Sequence, residues 1–219
     1  MELNRQQIKA SRPRVARLMK KHNLVSIRRI KFRSTTDSKH NYPVVENKLN
    51  RDFSVKETGR VWVSDITYVK TRQGWLYLTV ILDLADRKVV GWAMSSSLKA
   101  YDTSIAAWKM AVKRRPITQE LIFHSDRGIQ YACTEFRELL EKHPLVSRSM
   151  SRKGDCWDNA VAESFFNNIK TEWIYHRSYQ TREQAKISIF DYIETWYNQN
   201  RIHTTTVSQK VCKWDFVKG

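Results

Sequence analysis

The chain of 219 residues is 41% hydrophobic and carries 8 Trp, 9 Tyr and 8 Phe, enough apolar material for a good-sized core, which excludes a disordered chain. Its formal net charge of +17 points to a polyanionic partner, most often nucleic acid, although charge alone separates neither DNA from RNA nor binding from chemistry. No apolar run reaches the roughly 18 residues of a membrane span, MELNRQQIKASRPR has no apolar signal-peptide core, and Cys133, Cys156 and Cys212 lack metal spacing, so a reduced cytoplasmic protein without a zinc finger is expected.

The charge is uneven. Residues 1–58 hold 15 Lys and Arg against 5 Asp and Glu, which is +10 of the +17. Within them Arg12 to Asn23 reads as a short basic helix, with Val15, Leu18, Met19 and His22 on one face and Arg14, Arg17, Lys20 and Lys21 elsewhere. The next stretch, IRRIKFRSTTDSKHNYPVVENKLNRDFSV, is rich in basic and turn residues. It reads either as an extended arm along a nucleic-acid backbone or as a disordered one.

From Arg60 the texture changes. VWVSDITYVK and WLYLTVILD are β-branched and aromatic runs separated by TRQG, and KVVGWAMS follows DLADR; three strands in an antiparallel meander are predicted. Thr103 to Lys113 reads as a helix, LIFHS as a short buried strand, Thr134 to Lys142 as a helix and LVSRS as a fifth strand. Trp157-Asp158-Asn159 offers caps for the next helix, whose apolar stripe is Val161, Phe165, Ile169 and Trp173. A last helix opens with a capping box, Thr181 to Gln184, and its core face is read as Ile187, Phe190, Ile193 and Tyr197. The order βββαβαβαα makes an α/β fold.

Three carboxylates stand out. Val61, Val63, Asp65, Thr67 and Val69 share one strand face. A carboxylate among valines costs several kcal/mol unless a metal ion, a salt bridge or an exposed edge offsets it. Asp126 ends the strand in HSDRG, where ligands gather in open α/β sheets, or is an ordinary turn aspartate. Glu163 lies off its helix's apolar stripe, and Lys170, two turns on, returns to within about 20° of it, with Asn159 and Asn167 flanking the line. That row is either a solvated face or the edge of an active site. Asp83 and Asp86, at a hairpin, compete as candidates. If Asp65, Asp126 and Glu163 converge, their oxygens suit Mg²⁺ or Mn²⁺, and two ions about 4 Å apart serve phosphoryl transfer. Sequence pattern alone does not bring them together.

WVSDITYV, HSDRGIQY and SRKGDCWDNAVAESFFNNIKTE closely resemble the DDE integrase core of bacterial insertion-sequence transposases, in particular the OrfB product of the IS-three family, which is related to retroviral integrases. The likeness runs from about RVARLMKKHNL to YNQNRIH. It implies an RNase H-like fold over residues 59–200, a mixed five-stranded sheet flanked by helices. A basic partial helix-turn-helix and linker arm would occupy 1–58, and a basic tail 201–219. It implies that Asp65, Asp126 and Glu163 are the catalytic metal ligands for two Mg²⁺ ions, with Mn²⁺ as substitute, and that Lys170 contacts the DNA end. His203 in NRIH matches a basic C-terminal motif of the family or caps a helix end. Arg127 and Asn159 are structural or DNA-facing neighbours, Arg14 and Arg17 are candidate DNA contacts, and His124 is a strand-end support. The implied activity is strand cleavage and transfer at double-stranded terminal repeats, by a homo-oligomer on DNA that works with an OrfA product or as an OrfA–OrfB fusion.

The sequence departs from that family in three places. Between Asp126 and Glu163 lie 36 residues, one more than usual, with the extra residue placed near Pro144. The tail TTTVSQKVCKWDFVKG lacks the usual Gly and then Pro, and only RPRVARLMKKHNL of the helix-turn-helix is recognised. Two other functions stay open on the sequence: a catalytically weak remnant that only binds DNA, and an RNase H-like nuclease on RNA–DNA hybrids.

Overall fold

Alternation of side chains decides what each strand faces. In the computed structural model, which describes residues 8–25, 41–201 and 203, β1 (Val61–Thr71), β2 (Gly74–Asp83) and β3 (Val89–Ser95) form the expected antiparallel meander. β4 (Leu121–Ser125) and β5 (Val146–Met150) add in parallel on the far side of β1, so the sheet runs β3-β2-β1-β4-β5. One face of the sheet buries Val61, Val63, Leu78 and Val80 against Phe165 and Ile169 of a long helix, α4 (Ala160–Glu172). The other buries Trp62 and Ile81 against Trp108 and Ala111 of α2 (Ser104–Arg114) and Phe136 of α3 (Thr134–Glu141). This is the mixed five-stranded sheet between helices of an RNase H-like fold.

The chain divides into two compact units, residues 33–201 and residues 1–32 with 202–219. In the second, α1 (Arg12–Lys21) starts at Ser11, whose hydroxyl accepts from the Arg14 N–H at 3.4 Å, and none of its residues is buried. Its basic residues, Arg14 and Arg17 among them, are exposed.

Three readings of the sequence change. First, the second half of the basic arm is part of the core unit. Leu49 is buried, Lys48 N–H donates to Ser149 Oγ at 2.9 Å, and Arg87 Nη2 donates to the Phe53 carbonyl at 3.0 Å. A turn with Asn50 and Arg51 at φ 44° and 64° folds this strap back on the sheet. Residues 26–40 of the arm and 204–219 of the tail lie outside the described residues. Second, Ile187 and Phe190 are 59% and 45% exposed, while Ala185, Ile189, Tyr192, Ile193 and Tyr197 are buried. The helix α5 (Arg182–Phe190), which opens with the expected capping box, passes into a π-helical stretch, Asp191–Tyr197, whose wider turns re-aim its side chains. Third, in α4 Ala162 and Phe166 join Phe165 and Ile169 as the buried residues, while Val161 and Trp173 are only partly buried.

The spacing between Asp126 and Glu163 goes with an intact sheet. Around Pro144, where the extra residue is expected, the turn from α3 to β5 is closed by His143 N–H donating to Leu140 O at 3.0 Å and Val146 N–H to His143 O at 2.9 Å. β5 then pairs with β4 without a break from Leu121↔Val146 to Ser125↔Met150. Among the described residues no helix is long and apolar enough to cross a membrane.

Candidate active site

Strand register brings the two aspartates together. β1 and β4 are parallel neighbours paired as far as Ser64↔Ser125, and Asp65 and Asp126 are the next residue on each. Asp65 Oδ1 accepts the Ile66 N–H at 2.7 Å, and Asp126 Oδ1 accepts the Gly128 N–H at 2.9 Å. The α4 helix lies over the same sheet face, and the burial of Ala162, Phe165 and Ile169 leaves Glu163 and Lys170 off the core stripe, each partly exposed.

The electrostatics couple these groups. Burial pushes the Asp65 carboxyl well above its usual range; the negative charges of Asp126 and, less strongly, Glu163 push the same way, while the Ile66 N–H and Lys170 oppose them. Burial also raises Glu163 and lowers Lys170, the latter opposed by Asp65. The charge of Asp126 thus acts on Asp65 more strongly than that of Glu163 does. Among the described residues no three acid, histidine or cysteine side chains stand close enough to enclose a metal ion as they are. In donor chemistry and charge the carboxylates nevertheless fit a hard divalent cation, because all are oxygen ligands and they destabilise one another's ionised forms.

Buried polar groups brace the strand under this pair. Ser64 Oγ donates to Val80 O at 2.8 Å, which leaves the Tyr131 phenol to donate to Ser64 Oγ at 2.8 Å. Asn159 is buried, and its Nδ2 donates to the Ser64 carbonyl at 2.9 Å. Of the two roles open for it, the structural one is therefore filled. His124 is fully buried between Ser149 Oγ at 2.9 Å and Ser151 Oγ at 3.2 Å, and burial lowers its pKa to about 4; it is a neutral strand-end support. Arg127 Nε donates to the Ser151 carbonyl at 2.7 Å and so holds the chain leaving β5. His203 is partly exposed in the other unit, as are the more exposed Arg14 and Arg17. Asp83 is not a competing site. It is fully buried and accepts from Arg115 Nη1 at 2.6 Å, Trp62 Nε1 at 3.0 Å and Gly59 N–H at 2.6 Å.

One functional neighbour was read differently in the sequence. Asp158 caps no helix; α4 begins after Asn159 with no side-chain cap. Its buried carboxylate is instead gripped by Arg152, with Nη2 at 2.7 Å, Nε at 2.9 Å and the backbone N–H at 2.8 Å, and by Arg51 Nε at 2.8 Å. The hydrogen bond from Arg152 is the main force holding Asp158 below the usual carboxylate range. Arg51 also pairs with Asp155. Strap, loop and helix start are therefore fastened at one point. The signal in the sequence was an acid flanked by arginines at remote positions, which no local pattern isolates.

Comparison with known proteins agrees with this architecture. Models of the integrase core domain match residues 56–156 and 163–209. The insertion element IS600 31 kDa protein of Shigella sonnei is 41% identical over 203 residues, covering 93% of this chain and 74% of that protein. The transposase InsF of insertion sequence IS3A from Escherichia coli is 41% identical over 174 residues, covering 80% of this chain. The chain spans only 60% of the length of InsF. In fold it is similar to the catalytic domain of Mos1 mariner transposase (TM-score 0.52, 13% identity, 64% of this chain and 72% of that one) and to a chain of a simian T-cell lymphotropic virus intasome (TM-score 0.55, 14% identity, 77% of this chain and 57% of that one). With 41% identity across most of its length and integrase-core matches whose spans include Asp65, Asp126 and Glu163, the chain belongs to the integrase-core transposases of the IS3 family.

Proposed function

We infer that this chain cuts DNA at the ends of an insertion element and joins those ends to target DNA, with Asp65, Asp126 and Glu163 as the metal-holding triad. The observation that carries the reading is the placement of Asp65, within β1, and Asp126, just past the end of β4, on neighbouring strands immediately after the Ser64↔Ser125 pair, with Glu163 and Lys170 of α4 in electrostatic reach of Asp65. Mutually repelling carboxylates stay ionised together only where a cation balances them. The three residues would hold Mg²⁺, with Mn²⁺ as substitute and two ions per site. Such ions supply the charge that activates an attacking hydroxyl and stabilises a leaving oxygen of a phosphodiester. A structural relative, the HTLV-2 integrase core, was solved in complex with magnesium.

The chain's own groups then position the substrate. Lys170, kept partly out of water, offers its ammonium to a phosphate beside the acids, where a desolvated charge acts more strongly than a surface lysine. Ser64, Asn159 and Tyr131 fix the backbone that carries Asp65, so the carboxylate is held in place before the DNA arrives. Arg127 steadies the loop after β5, and His203, Arg14 and Arg17 add phosphate contacts. The partners are double-stranded element ends and target DNA, further copies of the chain on paired ends, and an OrfA product or its fusion. The HTLV-2 core is described in dimeric and trimeric forms.

A cleavage and strand-transfer assay in Mn²⁺ on the element's own end duplex tests this. Joined products are expected with the unaltered chain, and a loss of at least about 10²-fold in Glu163→Gln, Asp65→Asn and Asp126→Asn. DNA binding without any triad-dependent product, both alone and with the OrfA product added, would leave only a DNA-binding remnant.

A further inference from the structure

The loop that enters α4, the helix of Glu163, presents a large aromatic ring to solvent. Trp157 is 67% exposed. Among the described residues it has no ring or cation partner, whereas exposed Trp75 packs edge-on against Tyr68 at 6.1 Å and exposed Tyr101 lies under the Lys109 ammonium at 5.3 Å. An indole left bare on a turn costs solubility and contributes nothing to the core.

The ring is not bare because the turn is loose. Asp155, two residues before it, pairs with Arg51; Asp158, next to it, is buried in the Arg51–Arg152 clamp; Asn159 is hydrogen-bonded to the Ser64 carbonyl at 2.9 Å, one residue from Asp65. The short 3₁₀ turn Cys156–Asn159 is therefore tethered on both sides of Trp157. It fixes the backbone that carries the indole, six residues ahead of Glu163. The flanking Arg152 and Lys153 are exposed, in a protein of net charge +17. A planar apolar face on a basic segment is the arrangement that receives a nucleobase with its phosphates.

We propose that Trp157 is a stacking platform for an unpaired base at the end of the bound DNA. The proposal rests on the DNA-end reading above and names the part of the substrate that this turn recognises. A DNA end threaded to the acids exposes its last bases, and an indole accepts any of them, so the stack favours frayed ends over duplex interiors without reading sequence. The Asp158 clamp ties this platform to the strap from the N-terminal side.

The test is equilibrium binding of the full chain, without divalent metal, to an end duplex with a three-nucleotide single-stranded tail, and to the same duplex with abasic sites in the tail. Anisotropy of a dye at the distal end reports binding. Trp157→Ala is expected to weaken binding to the intact tail by about five- to a hundred-fold, the range of a single base–aromatic stack, while Trp157→Phe keeps most of it. On the abasic tail the unaltered chain and Trp157→Ala should bind alike. Because no metal is present, the result is independent of cleavage and joining. The proposal is overturned if Trp157→Ala binds intact and abasic tails in the same ratio as the unaltered chain. Equal weakening on every DNA, or a loss of self-association with unchanged tail binding, overturns it as well.

Discussion

At the residue scale, two buried titratable groups set how the protein responds to acid, and they act in separate pH windows. His124 is neutral between two serine hydroxyls, with its pKa lowered from the ordinary 6.5 to about 4. Between those values the unfolded chain binds a proton that the folded one refuses, so stability falls as pH drops from 6.5 towards 4, by about 3 kcal/mol in all. Asp158 works lower. Its folded pKa is depressed, chiefly by Arg152, so its contribution is complete above about pH 4 and is lost as pH falls further, towards the folded value. Urea midpoints measured from pH 7 to 3 should show both limbs. His124→Gln is expected to flatten the upper limb and Asp158→Asn the lower one. At pH 7 Asp158→Asn should cost about 2 kcal/mol, less than the ~3–5 of a wholly buried pair, because the arginines stay half in water. A variant that left its own limb unchanged would mean that some other group sets the acid response in that window. Of these roles the sequence disclosed that His124 is a strand-end support. The clamp it hid, because Arg51 and Asp158 meet across 107 positions.

Elements were legible where their signal is local. The meander, the four core helices and the capping box at Thr181 follow from periods and caps within a dozen residues, and each lies where the pattern puts it. The last helix defeats the pattern because its α-helical part buries Ala185 and Ile189, with Ile187 and Phe190 outside that stripe, and the π-helical stretch that follows shifts the phase before Tyr192, Ile193 and Tyr197. The strap over residues 44–55 was illegible for a different reason: it packs through isolated anchors such as Leu49 and Phe53, which carry no period. The packing of β3 against α2 is tighter than its residue types suggest. A Cβ on Gly91 would lie 2.3 Å from the Ala107 carbonyl oxygen and 2.7 Å from Ala111 Cβ, both held rigidly by helix and sheet. Gly91→Ala must therefore push α2 off the sheet, and a cost of about 3 kcal/mol or more is expected, read as a lowered urea midpoint with the slope unchanged. A midpoint within error of the original would mean that α2 moves freely on the sheet.

At the scale of the whole molecule, charge and chemistry are divided along the chain. The acids, with Lys170, belong to the unit of residues 33–201, while residues 1–32 and 202–219 together hold +11 of the +17. The convergence of Asp65 and Asp126 depends on one long-range register, Ser64↔Ser125, which no window of the sequence contains. The basic bias needs no register and was readable from composition. It carries its own consequence for binding. α1 has no buried residue, so Arg14, Arg17, Lys20 and Lys21 can be replaced by alanine with little effect on folding. If they neutralise phosphates, each phosphate left without its cation takes roughly 0.9 off the slope of log K against log salt on duplex DNA. The fourfold alanine chain is expected to have a slope shallower by about 2–4. Its binding should fall furthest below the original at low salt, where counterion release drives association most strongly. Its triad-dependent joining at saturating DNA should persist, because the acids are untouched. An unchanged slope with weaker binding would mean that α1 touches something other than phosphate. An unchanged slope and affinity would place the DNA on the core unit, whose own excess of positive charge then has to carry the duplex alone.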